Sequence, residues 1–120
     1  MTLKFDEICI DAHDVTALAS WWSQVLGWPQ EVDDDGDVVL TPPGTGPIWL
    51  FIEVPEDKVV KNRIHFDFRP DDQQAEVDRV VALGARHVDI GQGEQSWVVL
   101  ADPEGNEFCI LRSEGEQESA

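Results

Sequence analysis

The sequence predicts an α+β domain built from two copies of a strand–helix–three-strand unit, with function expected in the cleft those copies enclose. Three observations carry this. Apolar residues recur at helical spacing in two segments, each opened by aspartate and closed by Leu-Gly. Each segment is preceded by one alternating run and followed by three short ones separated by Gly/Pro turns. The halves also overlay: Val38-Val39-Leu40 matches Val98-Val99-Leu100, and each triplet leads through a proline turn into a last apolar strand. A single β-α-β-β-β half cannot cover both faces of its own sheet, so two halves in one chain is the economical arrangement.

Phe5 to Ile10 alternates and reads as the first strand. Asp14 is placed to cap a helix over Val15–Leu26, whose Leu18, Trp21, Trp22, Val25 and Leu26 fall on one face, and Gly27 is placed to end it. Strands over Trp28–Val32, Val38–Thr41 and Ile48–Val54 follow, parted by the Asp33–Asp37 turn and the Pro42–Pro47 turn. Module one thus spans 4–54, and polar residues 55–62 read as a linker. Module two, 63–112, repeats the order: a strand over Arg63–Arg69, a helix over Gln73–Leu83 capped by Asp71 or Asp72, then strands over Arg86–Ile90, Trp97–Ala101 and Glu107–Arg112. The two modules form one domain, 1–113, and residues 114–120 read as an acidic disordered tail.

Composition narrows the function. At 120 residues with 42% apolar content the chain can bury one core. With 25 acidic against eight basic side chains the net charge is −17, which repels nucleic acid and anionic membrane. The Asp33–Asp37 run lacks the spaced ligands and terminal glutamate of an EF-hand and reads as a charged turn. No membrane-length apolar run and no signal peptide is visible, so a cytoplasmic protein is expected. Cys9 and Cys109 lie in apolar strand patterns without metal-knuckle spacing and are expected to be reduced, buried thiols. Nucleophile elbows, phosphate loops and Cys-x-x-Cys pairs are missing.

The segments Ala19-Ser20-Trp21-Trp22-Ser23-Gln24-Val25-Leu26-Gly27-Trp28, Lys61-Asn62-Arg63-Ile64-His65-Phe66-Asp67-Phe68 and Ala101-Asp102-Pro103-Glu104-Gly105-Asn106-Glu107-Phe108-Cys109 resemble the vicinal oxygen chelate superfamily. They are most similar to its small glyoxalase-like and bleomycin-resistance-like domains of the actinobacterial kind. The resemblance covers residues 4–112 in order, and Asp-Pro-Glu-Gly-Asn-Glu-Phe is its most specific piece. It implies a mixed sheet curled into a U around a cavity with the helices outside, and a homodimer. Its members include lyases, isomerases, oxygenases and metal-free drug-binding proteins, so the fold alone does not choose the chemistry.

The resemblance also implies where a divalent metal would bind: on the first and last strands of each module. Those positions fall at Glu7 and His65, at Cys109, and at Glu53 or its neighbour Ile52. Two carboxylates, an imidazole and a thiolate suit Zn²⁺ or Fe²⁺ better than Mg²⁺. Glu7 and His65 are also the candidate catalytic acid–base pair, since a carboxylate and a near-neutral imidazole both suit proton transfer. His65 and Asp67 share one strand face, and Ile64, Phe66 and Phe68 the other. Trp49, Phe51 and Trp97 lie on strands expected to line the cavity and, with Asp67, are the candidate ligand contacts. His13 and His87 read as surface residues.

Three functions fit these residues. One is a metal-assisted lyase or isomerase acting on a small oxygenated or aromatic compound. Another is a non-catalytic protein that sequesters a drug or metabolite, and the third is a dimerising module whose cavity is filled by its own side chains.

Overall fold

In a computed structural model the chain is described over residues 2–93 and 95–114, so most of the acidic tail lies outside the described residues. It divides into two compact units, Met1–Asp57 and Lys58–Ala120. Each is a βαβββ module carrying a four-stranded mixed sheet, and the fold class is α+β.

Unit 1 runs β1 (Glu7–Ala12), α1 (Val15–Leu26), β2 (Gln30–Val32), β3 (Val38–Leu40) and β4 (Ile48–Glu53), with sheet order β1-β4-β3-β2. β1 and β4 pair in parallel over six residues, from Glu7↔Ile48 to Ala12↔Glu53; the other pairs are antiparallel. The expected first strand, Phe5–Ile10, is shifted. Pairing with β4 draws Asp11 and Ala12 into the strand, while Phe5 is left 71% exposed.

Capping explains where α1 begins and ends. The Asp14 carboxylate accepts from the Ala17 N–H at 3.1 Å, satisfying one of the helix's orphan donors. Gly27 ends the helix at φ 71°, a left-handed conformation that costs glycine little, and its N–H donates to the Ser23 carbonyl at 2.8 Å. The buried stripe of α1 is Leu18, Ala19, Trp21 and Trp22. Trp22 meets Trp49 of β4 edge-on at a centroid distance of 5.4 Å, and Trp28 meets the same ring, also at 5.4 Å. Such contacts between large rings add to the gain from apolar burial. They also identify the face of the sheet that α1 covers.

Unit 2 runs β5 (Phe66–Phe68), α2 (Gln73–Ala82), β6 (Arg86–His87), β7 (Val98–Ala101) and β8 (Glu107–Ile110), in the order β5-β8-β7-β6. β5 and β8 are parallel, like β1 and β4. Asp72, not Asp71, caps α2, its carboxylate accepting from Ala75 N–H at 3.1 Å. α2 is two residues shorter than α1, 10 against 12.

The Asp-Pro-Glu-Gly-Asn turn between β7 and β8 is organised by one carboxylate. Asp102 is 1% exposed, and it accepts from the backbone N–H groups of Glu104 and Asn106, both at 2.9 Å, and from the Asn106 side-chain amide. Gly105 supplies the positive φ of 90° that closes the loop. A buried carboxylate so fully paired is costly to remove because its donors are left unsatisfied. Asp102→Ala is expected to lower unfolding stability by about 2–3 kcal/mol. Chemical denaturation followed by circular dichroism measures this, and a loss within error of zero would show the turn is held by other means.

Candidate functional site

The helix caps give a numbering for comparing the modules. Glu7 stands seven residues before its cap Asp14, and His65 seven before its cap Asp72. Cys9 and Asp67 are likewise equivalent, each five residues before its cap. Strand pairing then fixes the partners on the last strand of each module: Cys9 lies opposite Leu50, and Asp67 opposite Cys109. The counterpart of Cys109 in unit 1 is therefore Leu50, neither Glu53 nor Ile52. The proline- and glycine-containing turn before β4 hid this register, and a slip of one residue reverses a strand's faces.

The face of the unit 1 sheet turned away from α1 carries Glu7, Cys9 and Asp11 from β1 and Ile48, Leu50 and Ile52 from β4. Glu53 alternates onto the opposite face, paired with Ala12, and is exposed at the strand end. Glu7 therefore has no second donor opposite it on β4, and the expected carboxylate pair of module one does not form. Cys9 is exposed rather than buried, with its thiol 3.8 Å from the Glu7 carboxylate. Slight burial, together with the charge and hydrogen bond of Glu7, raises the Cys9 pKa.

Trp49 and Phe51, expected to line a ligand cavity, belong instead to the core beneath α1. They are 5% and 0% exposed, and Trp49 is boxed by Trp22 and Trp28. The physical reason is the same alternation: residues 49 and 51 share the helix-covered face with Val38 and Leu40 across the β3 pairing. Trp97 differs. It precedes β7 and is only partly buried.

Unit 2 brings the polar candidates together. His65 Nε2 is 3.3 Å from Asp67 Oδ1, with 40% and 47% of the two side chains exposed. Cys109 sits across from Asp67 on β8 and is 3% exposed. One ligand atom from each of His65, Asp67 and Cys109 lies within 4.8 Å of the other two. Burial pushes the Cys109 thiol up to about 11, helped by the charge of Asp67 and a hydrogen bond to it; Lys61 offsets part of this.

Glu107 marks the edge of this face and is engaged already. Lys58 Nζ donates to one of its oxygens at 2.8 Å and the Asn62 N–H to the other at 2.9 Å. Burial alone would raise its pKa, but these donors outweigh burial and hold the carboxyl below its ordinary range. The bonds tie residues 58–62 to the start of β8. Elsewhere, Asp33, Asp35 and Asp37 also cluster within 4.8 Å, and turn geometry accounts for this: the Asp33 carboxylate accepts from the N–H groups of Asp35 and Asp37. His13 and His87 are exposed.

The four-residue metal set implied by the resemblance does not fit two donors per module. Unit 1 offers Glu7 opposite aliphatic residues, whereas unit 2 offers a carboxylate and a thiol on adjacent strands with an imidazole just before the first of them. Of the positions the resemblance implies, those in unit 2 have the donor chemistry for a divalent ion.

With this geometry in hand, comparison with known proteins is informative. A family model described as "Glyoxalase-like domain" matches residues 7–111, and the chain belongs to that family. A glyoxalase/bleomycin resistance protein/dioxygenase family enzyme from Burkholderia phytofirmans PsJN is 18% identical, with a TM-score of 0.70 over 90% of this chain and 97% of that one. The fosfomycin resistance protein FosX from Mesorhizobium loti is 13% identical, with a TM-score of 0.70 over 92% of each chain. FosX from Listeria monocytogenes, an E126Q mutant complexed with Mn(II) and 1S,2S-dihydroxypropylphosphonic acid, is 14% identical, with a TM-score of 0.68 over 97% of this chain and 94% of that one. Comparison with curated proteins gives no match. The structural likenesses show the fold. Among the described residues, no helix is long and apolar enough to cross a membrane.

Two predictions follow from the side chains. In the metal-free protein at neutral pH, a thiol reagent should modify Cys9 and leave Cys109 untouched until denaturant is added. Peptide mass mapping reads this directly, and equal labelling of both would contradict the burial of Cys109. The Glu107 carboxyl is depressed on folding, so its contribution to stability is present above the unfolded carboxylate pKa of about 4.3 and lost as pH falls through the lower folded value. Lys58→Met should therefore lower Tm at pH 7, and the gap from the unmodified chain should narrow below about pH 4. A gap independent of pH would mean that Lys58 acts only through packing.

Proposed function

We propose that this glyoxalase-like domain binds a small oxygenated compound and acts on it as a lyase or isomerase, with His65 moving a proton at a carbon beside a carbonyl. The observation that carries the reading is the half-exposed His65–Asp67 pair, 3.3 Å apart and backed by buried Cys109. An imidazole oriented by a carboxylate and open to solvent suits proton abstraction near neutral pH. Asp67 holds the ring in place. Trp97, in the same unit, is the aromatic contact for the ligand. Lys61, close enough to influence the Cys109 thiol, adds attraction for an anionic oxygen in an otherwise acidic chain.

A divalent ion, if held by His65 and Cys109, would supply Lewis acidity to vicinal oxygens of the ligand, and His65 would then serve as a ligand in place of a base. The Mn(II) complex of the Listeria neighbour supports including a metal in this reading. Action in the cytoplasm and pairing of two copies belong to the same proposal and rest on the sequence and the resemblance.

The alternative is a sequestering protein without chemistry. It is favoured by the aliphatic row Ile48, Leu50 and Ile52 on the face of unit 1 turned away from α1, where Val39 extends the row and Glu7, Asp11 and Glu31 stand on the outer strands β1 and β2. One experiment separates the two. Purified protein is incubated in D₂O with a panel of small hydroxy and oxo acids, and loss of the α-proton is followed by NMR. Exchange that falls at least about 100-fold in His65→Ala, and less in Asp67→Asn, is the expected result. Ligand-induced shifts without exchange would favour the sequestering protein, and neither response would sink both readings.

A further inference from the structure

We propose that His65, Asp67 and Cys109 form a thiolate-containing metal site contained wholly within unit 2, of the class that takes Zn²⁺ or Co²⁺ in preference to Mn²⁺ or Mg²⁺. His65 immediately precedes β5 and Asp67 is the middle residue of that strand, and the 3.3 Å between their polar atoms shows the two side chains together. Cys109 is the registered partner of Asp67 on the neighbouring strand β8. Two of the three donors are therefore set by a strand ladder, and the third by the residue that leads directly into it, which favours a rigid site.

Their spacing fits one ion. Donors around a tetrahedral Zn²⁺ with bond lengths near 2.0–2.3 Å lie about 3.3–3.8 Å apart. The three side chains already lie within 4.8 Å of one another, so small side-chain rotations bring them to that spacing. Glu107 does not compete, because both its oxygens are held by Lys58 and Asn62. Three protein donors leave a fourth position free. The thiol is buried while the imidazole and carboxylate are half exposed, so that free position faces solvent. This is the pattern of a site that admits water or a ligand.

The choice of metal follows from the donors. A thiolate and an imidazole stabilise borderline ions, whereas Mn²⁺ and Mg²⁺ favour all-oxygen or oxygen-rich shells. Asp67 has so far appeared as the residue that orients His65; in this site it is itself a ligand. The proposal rests on placing the functional site on this face of unit 2, but metal binding tests it independently of any substrate.

The test uses the full chain stripped of metal by a chelator. Co²⁺ titration should give a thiolate-to-metal charge-transfer band that saturates at one equivalent, and competing Zn²⁺ should abolish it. Calorimetry should give Zn²⁺ binding at least about 100-fold tighter than Mn²⁺ binding. Cys109→Ser should remove the band, and Cys9→Ser should leave it unchanged. Cys109 is buried and its variant could misfold, so the half-exposed His65→Ala and Asp67→Asn serve as second variants; each should weaken Zn²⁺ binding at least about tenfold with unchanged circular dichroism.

A band that persists in Cys109→Ser overturns the proposal, as do Zn²⁺ and Mn²⁺ bound with equal affinity and Zn²⁺ binding indifferent to His65→Ala and Asp67→Asn. Adding the hydroxy and oxo acids to the stripped and the Zn²⁺-loaded protein separates the two ideas. Metal bound as described with no ligand response in either form supports this site and removes the lyase reading. A ligand response in a chain that binds no metal does the reverse.

Discussion

The parallel pairing of the first and last strand in each module is the constraint on which the rest of this structure depends. β1 with β4, and β5 with β8, are distant in sequence, and a parallel pair requires a crossover that only a helix-length segment can supply. Once that pair forms, its register decides which residues share a face. In unit 1 it sends Trp49 and Phe51 under α1 and leaves Glu7 opposite Ile48. In unit 2 it puts Cys109 across from Asp67. The burial of the tryptophans, the position of the carboxylates and the metal-capable group in unit 2 all follow from one alignment in each sheet.

Much of the architecture was legible because it was written locally. Asp14 and Gly27 mark a helix by capping chemistry that operates within a few residues, and the Asp-Pro-Glu-Gly-Asn segment specifies its own turn through one carboxylate. The doubled module and the superfamily could be read from such signals. The site was harder, because facing is a property of pairing between segments roughly forty residues apart. The turn from Pro42 to Pro47 could deliver β4 in either register, so Glu53 was a reasonable ligand from sequence and Leu50 was not considered. Trp49 and Phe51 were misplaced for the same reason. Asp67 was recognised as a neighbour of His65, but its opposition to Cys109 needed the β5–β8 ladder.

The two modules have diverged on their corresponding faces. At matching places unit 1 carries glutamate, cysteine and leucine, while unit 2 carries histidine, aspartate and cysteine. A duplicated scaffold permits this, because the helix-covered face that maintains the fold and the opposite face that can do chemistry alternate along the same strand and vary independently. In unit 2 the basic residues near that face also have separate tasks. Lys58 is committed to Glu107 and braces the approach to β5, whereas the Lys61 charge reaches Cys109.

The packing of aromatic rings in unit 1 has an optical consequence. Trp21, Trp22, Trp28 and Trp49 form one connected group of edge-on rings in the first unit, Trp97 stands alone in the second, and the sequence contains no tyrosine. The near-ultraviolet dichroism of the protein is thus dominated by coupled indoles that report the integrity of unit 1. The emission of a chain carrying only Trp97 would report on unit 2. The two halves of the duplication, nearly alike in backbone plan, carry separate spectroscopic signatures without any added label.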